Sequence, residues 1–223
     1  DDAVISYRHA LQVDPNYAQG HCNLGAAFQA QGKLAIAEAS YRRALEINPA
    51  YLKALNNLGS VLLDLKRFED AETCYRQALH YKIADAESYR NLGAALNAAG
   101  RSEEAEADVR RAIELNPLDA ASYVSLGAIL ITRGEPAEAE LAFLRALEIS
   151  PDLAEANDDL GTLLLEQQRL DEAETRLLKA LEFRPDSFQA WNNLAICYKK
   201  QDRLADAERA VRRALDLRPD STE

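Results

Sequence analysis

AQGHCNLGAAFQAQGKLAIAEASYRRALEINPAY, residues Ala18–Tyr51, is a 34-residue stretch that the rest of the chain repeats. With Ala18 as position 1, Leu24, Gly25 and Phe28 fall at positions 7, 8 and 11, Ala37, Tyr41 and Ala44 at 20, 24 and 27, and Pro49 at 32. Shifts of 34 residues return Leu58 with Gly59, Leu92 with Gly93, Leu126 with Gly127, Leu160 with Gly161, and Leu194 with Ala195. Alanines 71, 105, 139, 173 and 207 keep position 20, and Pro117, Pro151, Pro185 and Pro219 keep position 32. A fixed period of this length means stacked supersecondary units, each burying its face against its neighbours instead of in one central core.

Residues 1–17 match the second half of a repeat, through Ala3, Tyr7, Ala10 and Pro15. Full repeats then occupy 18–51, 52–85, 86–119, 120–153, 154–187 and 188–221 without insertion, so 1–223 reads as a single repeat domain. Each repeat reads as two helices. His21, Leu24, Gly25 and Phe28 share one face of a helix over about 19–31, and Leu34, Ala37, Tyr41, Ala44 and Leu45 share one over about 35–47. Gly32, Gly100 and Gly134 supply the left-handed residue that ends the first helix. Lys66, Gln168 and Asp202 stand there in the other copies, where tighter or slightly strained turns are expected. The residue before each closing proline is pushed out of the helical region and ends the second helix. Ile83 stands where that proline is expected, which predicts a second helix that runs on. Pro136 falls in a first helical turn, where its missing N–H is harmless. Small residues at 8, 20 and 27 let the two helix axes approach closely, with larger ones at 7, 11 and 24 filling beside them.

Carried by these residues, the pattern resembles the tetratricopeptide repeat over essentially the whole chain. Trp191 supplies the family's position-4 tryptophan, which His21, Leu55, Tyr89, Tyr123 and Asn157 replace elsewhere. Ala195 stands where the family has glycine. The resemblance implies an all-α fold, a right-handed superhelical solenoid of stacked antiparallel helix pairs, with first helices lining a concave groove. It implies a protein-binding scaffold that takes an extended peptide or a partner helix. The repeat Phe188–Ser221 and its asparagines also resemble the repeat arms that precede protein O-glycosyltransferase domains, so the substrate-recruiting arm of a larger enzyme is the alternative.

If first helices line a groove, positions 2, 5, 6, 9, 12 and 13 project into it. Position 6 reads Asn23, Asn57, Asn91, Ser125, Asp159 and Asn193, a row of amides suited to holding a peptide backbone. Along the groove, Asn56 and Ser60 keep the second repeat polar, and Arg90 stands at position 5 of the third. The fourth repeat is apolar through Val124, Ala128 and Ile131, and the fifth acidic through Glu155, Asp158, Asp159 and Glu166. The sixth is polar to basic, with Asn192, Lys199 and Lys200. An apolar anchor beside an acidic pocket favours a partner with a basic residue near an aliphatic one. Some members of the family clamp a C-terminal carboxylate with basic residues. Lys53, Asn57 and Arg90 fit part of that clamp, but Ala94 stands at position 9 and no repeat has a basic position 6, so the clamp is not expected.

The charge of −11 argues against nucleic acid, whose binding rests on neutralising phosphates. No run approaches the roughly 18 apolar residues of a spanning helix. Cys22, Cys74 and Cys197 occupy unrelated repeat positions and read as small buried residues, which leans toward a reducing, cytoplasmic setting. Neither a metal nor a cofactor is expected, since the acidic repeat has no calcium-loop glycine and no glycine-rich phosphate loop occurs. His9, His21 and His80 are scattered, so no catalysis is expected of this segment. Both ends keep apolar helix faces, through Ala3, Tyr7, Ala10 and Leu11 and through Ala207, Val211, Leu215 and Leu217. They read as cut from a longer array, as does the absence of methionine, and predict end-to-end self-association and, as a third function, a self-assembling scaffold.

Overall fold

The computed structural model describes residues 2–217; Pro219 and the close of the last repeat lie outside them. The described residues form thirteen helices: α1 (Asp2–Val13), α2 (Ala18–Ala30), α3 (Leu34–Ile47), α4 (Leu52–Asp64), α5 (Phe68–Tyr81), α6 (Ala86–Ala98), α7 (Ser102–Leu115), α8 (Ala120–Thr132), α9 (Pro136–Ile149), α10 (Ala154–Glu166), α11 (Leu170–Phe183), α12 (Phe188–Lys200) and α13 (Leu204–Leu217). The chain is an all-α repeat solenoid, divided into two compact units, Asp1–Pro117 and Leu118–Glu223.

In the first unit α2 packs on α3, α4 on α5 and α6 on α7; α3 then meets α4, and α5 meets α6. The second unit repeats the scheme with α8 and α9, α10 and α11, and α12 and α13. First helices also touch one another, α2 with α4 and α4 with α6 in one unit, α8 with α10 and α10 with α12 in the other. The close approach within each pair has a specific cause. The position-24 side chain lies directly over the position-8 glycine, so that a Cβ built on Gly25, Gly59, Gly93, Gly127 or Gly161 would meet Tyr41, Tyr75, Val109, Phe143 or Leu177 at 2.4–2.8 Å. Ala37, Ala71, Ala105, Ala139 and Ala173 are fully buried at the same crossings. All three cysteines are buried and unpaired; burial raises their thiols, that of Cys74 to about 11.

The turns between paired helices are alike whatever residue occupies them. Lys33 N donates to Phe28 O and Gly32 N to Gln29 O, the two bonds of a Schellman ending. Arg67 with Leu62 and Lys66 with Leu63 repeat it, as do Arg169 with Leu164 and Gln168 with Leu165. Lys66, Gln168 and Asp202 adopt φ of 58°, 62° and 61° beside 71–80° at the three glycines. The turns are therefore not tighter; they are the same turn, with the strain of a Cβ in the left-handed region. That strain costs about 1–2 kcal/mol, partly offset by the smaller entropy of the unfolded non-glycine chain. Lys66→Gly and Gln168→Gly should each raise stability by about 0.5–1 kcal/mol, read as a higher urea midpoint at unchanged slope.

Ile83 does not extend its helix, contrary to expectation. The second helix of that repeat ends at Tyr81, with the same 14 residues as its counterparts. Lys82 is extended (φ −144°, ψ 90°), like Asn48 before Pro49 (φ −135°, ψ 92°), and Ile83 is 73% exposed. The next helix enforces the break. Asp85 caps α6 by accepting from Ser88 N at 3.1 Å, and Lys82 Nζ pairs with Asp85 at 2.7 Å.

Arginines at position 16 tie second helices together within each unit. Arg67 joins Glu38 to Asp70, Arg101 joins Glu72 to Glu104, Arg169 joins Glu140 to Glu172, and Arg203 joins Glu174 to Asp206, all at 2.6–2.9 Å. The acids reached on the preceding helix, Glu38, Glu72, Glu140 and Glu174, are only 17–21% exposed, whereas the pairs to Asp70, Glu104 and Glu172 lie open to solvent and are individually weak.

Candidate functional site

The first helices of each unit present positions 2, 9 and 13 outward, as at Lys53 and Ala94 in the first unit and Ala128, Glu155 and Glu166 in the second. Position 6 is half-buried at Asn23, Asn57, Asn91, Ser125, Asp159 and Asn193. Two of these asparagines are committed to the preceding repeat. Asn193 Nδ2 donates to Thr162 Oγ1 at 2.8 Å, and Asn57 Nδ2 lies 3.9 Å from Cys22 Sγ, a weak bond. Beside Asn57, Tyr41 donates to Gln29 Oε1 at 2.9 Å and Gln29 Nε2 to Ser60 Oγ at 3.3 Å. Asn193, and more weakly Asn57, thus each tie one donor to the preceding repeat.

Position 5 behaves differently from the groove-lining expectation. Asn56 and Val124 are each only 4% exposed. Asn56 accepts from Ser88 Oγ of the next repeat at 3.0 Å, which shows that this position points at the neighbouring first helix instead of outward. Arg90 and Asp158 are half-buried, and only Asn192 is exposed. Lys199 is exposed near the end of α12.

In the second unit α8 and α10 enclose a cavity of about 200 Å³ on the first-helix side. Ala128, Ile131, Phe143 and Leu163 give it apolar walls; Asp159, Thr162 and Glu166 supply the polar ones. Of the residues read from sequence as an apolar anchor and an acidic pocket, Ala128, Ile131, Asp159 and Glu166 line this one space, while Val124, Glu155 and Asp158 do not. Phe143, Thr162 and Leu163 were not anticipated. Thr162 sits at position 9 and was open to the periodicity, whereas Phe143 reads from sequence as filling between helices only.

The electrostatics of this cavity are unbalanced. Burial, then the nearby carboxylates of Glu155 and Asp158, push Asp159 up to about 7. Burial also raises Asp158, against the pull of Asn193, Arg184 and Ser187. Glu155, Asp159 and Glu166 form no ion pair among the described residues, while acids on the second helices are paired repeatedly. The arrangement can accept a cation. Among the described residues no group of His, Cys, Asp and Glu gathers as a metal-binding set. Among them, no helix is long and apolar enough to cross a membrane.

Comparison with known proteins accords with this geometry. The model of the cilia and flagella-associated protein 70 C-terminal domain matches residues 1–159, and the tetratricopeptide repeat model matches residues 159–222. No curated protein matches the sequence. Among solved structures, the chain is similar to one in the APC/C hetero-tetramer Cut9-Hcn1 (TM-score 0.86, 16% identity), over 97% of this chain and 43% of that one. It therefore spans less than half of that neighbour's length. It is also similar to pilF of Pseudomonas aeruginosa (TM-score 0.72, 21% identity, 92% of this chain and 93% of that one). A third neighbour is YrrB, described as a TPR protein with an unusual peptide-binding site (TM-score 0.55, 23% identity, 81% and 93%). At these identities the likenesses show the fold. With the repeat geometry and two family models end to end, the chain belongs to the tetratricopeptide repeat proteins, matching the family of that C-terminal domain over most of its length.

Proposed function

We propose that this chain is a protein-interaction scaffold without catalytic chemistry of its own, holding an extended peptide or a partner helix on the faces made by its first helices. The α8–α10 cavity is the anchor, and it takes a basic side chain carried next to an aliphatic one. Tetratricopeptide repeats are commonly protein–protein interaction scaffolds, and one structural neighbour carries a peptide-binding site. The observation that carries the finer reading is the cavity, where unpaired carboxylates share one space with Ile131 and Leu163. A lysine or arginine lays its methylene stem along such apolar walls and keeps its charged head at the carboxylates. The half-buried amides then hold the peptide backbone with little regard to its side chains.

Titration with a short peptide carrying lysine between two leucines tests the anchor, with glutamate in place of lysine as the control. The lysine peptide should bind at least about tenfold tighter, the scale expected for one complementary charge pair against a like-charged one. Equal affinity would remove the cavity from the reading. Asn57, Asn91 and Asn193 changed together to alanine should weaken capture of the lysine peptide with the helical circular dichroism kept, and an unchanged affinity would remove the amide row.

A further inference from the structure

The second-helix side of the second unit holds a larger groove with the opposite charge preference. Between α11 and α13, floored by α12, lies a cavity of about 540 Å³. Leu178, Trp191, Leu194 and Tyr198 make its apolar part. The Trp191 indole is held in place by donating Nε1–H to Pro185 O at 2.9 Å, and the Arg203 guanidinium sits 4.3 Å from the centre of the Tyr198 ring.

Along α13 the cavity is edged by Arg209, Arg212 and Arg213 against the single carboxylate of Asp206. Arg209 pairs with Asp206, and Arg212 with Glu208 at 2.5 Å, both on the exposed surface where such pairs exchange partners at little cost. Arg213 makes no ion pair among the described residues. In a chain of net charge −11 this is a local concentration of positive charge over an apolar floor.

The fold alone does not account for that charge. The equivalent groove of the first unit, between α3 and α5 over α4, has a cavity of about 410 Å³. Leu55, Leu58 and Leu62 floor it at the repeat positions of Trp191, Leu194 and Tyr198, but its edge is mixed in sign, with Arg42, Glu46 and Asp70. Repeat stacking makes the groove, and α13 makes it basic.

We propose that the α11–α13 groove docks an acidic segment of a partner protein, which inserts one aromatic or leucine side chain against Trp191 and Leu194 while its carboxylates meet Arg209, Arg212 and Arg213. Guanidinium–carboxylate pairs are directional and can be bidentate, and Trp, Tyr and Arg are the residues that most often dominate interface energetics. The docked segment lies on a different face from the first-helix cavity, so the two sites bind independently and select opposite charge.

Trp191 is the chain's only tryptophan, so its fluorescence reports on this groove directly. The peptide Glu-Glu-Leu-Phe-Glu-Glu should shift the Trp191 emission saturably, with affinity falling as ionic strength rises. Lys-Lys-Leu-Phe-Lys-Lys and Glu-Glu-Ser-Ser-Glu-Glu should each bind at least about tenfold more weakly, since one lacks the charge match and the other the anchor. Arg213→Glu, at an exposed position, should cost about tenfold in affinity with circular dichroism unchanged. Equal binding of the lysine peptide, or an emission that does not respond to the acidic one, would overturn the proposal. So would an emission that shifts with protein concentration alone, which would place a second copy of the chain in the groove.

Discussion

Truncating Tyr75 to alanine is expected to cost about 3–5 kcal/mol, and adding one methyl group opposite it, in Gly59→Ala, about 1–3 kcal/mol. Tyr75 is 1% exposed, so its removal empties a site that close-packed neighbours fill only in part. The second change is the sharper test because helix propensity argues the other way. At an exposed helical position glycine to alanine stabilises by about 1 kcal/mol. Here the new Cβ would lie 2.5 Å from two carbons of the Tyr75 ring and 2.9 Å from its hydroxyl. A buried ring cannot swing aside cheaply, so overpacking wins. A branched side chain would not relieve the clash, since in the third repeat a Cβ on Gly93 would still meet the buried Val109 at 2.4 Å; Ala195 faces a position-24 residue, Val211, that is 42% exposed. Gly59→Ala combined with Tyr75→Ala, which removes the ring, should therefore be less damaging than the sum of the two, with a coupling of about 1 kcal/mol or more in urea denaturation. Additive effects would mean that the ring does not rest on the glycine.

The periodicity made the helices readable because the same residue sizes return at 7, 8, 11, 20, 24 and 27 in every copy. It did not reveal which large side chain lies on which glycine, since that depends on the angle and distance of the helix crossing. The end of α5 was misread for a related reason. A missing proline suggested continuation, but the helix is stopped by the cap of the following one, Asp85 with Ser88 and Lys82. Lys66, Gln168 and Asp202 were legible as exceptions to glycine, yet their conformation is dictated by the two Schellman bonds, which any residue can satisfy at the cost of strain.

The candidate site divides along the same line. Ala128, Ile131, Asp159 and Glu166 converge as helical spacing suggested, because positions 6, 9, 12 and 13 of α8 and α10 face one side. Asn56 and Val124 do not take part. Position 5 is covered by the adjacent repeat, and a single-helix wheel contains no information about how closely the next helix stacks. The basic groove on α13 was invisible for a different reason: Arg209, Arg212 and Arg213 read as an ordinary solvated helix face until α11 and α12 supply the apolar floor beneath them.

Asp159→Asn is expected to stabilise the protein at pH 8 by about 2–3 kcal/mol, and to leave its stability at pH 4 nearly unchanged. The folded protein holds the Asp159 proton up to about pH 7, whereas an ordinary aspartate releases it near 3.8. Between those values the unfolded chain has lost its proton and the folded chain has kept it, so stability falls as pH rises through this window and stays low above it. A gap of roughly three units at about 1.4 kcal/mol each sets a ceiling near 4 kcal/mol, which solvent at the open side of the cavity reduces. Asparagine carries no charge to desolvate beside Glu155 and Asp158 and removes the loss. Thermal midpoints of both proteins at the two pH values measure it. The same substitution should abolish the preference for the lysine peptide, and wild-type affinity for that peptide should tighten as pH rises toward 7, because a cation binds the ionised carboxylate. The opposite signs of the two effects make the pair decisive. A carboxylate kept only for structure would not be improved by its amide, and one freely solvated would show neither effect. Stability gained together with cation preference lost is the signature of a charge retained for binding at the expense of the fold.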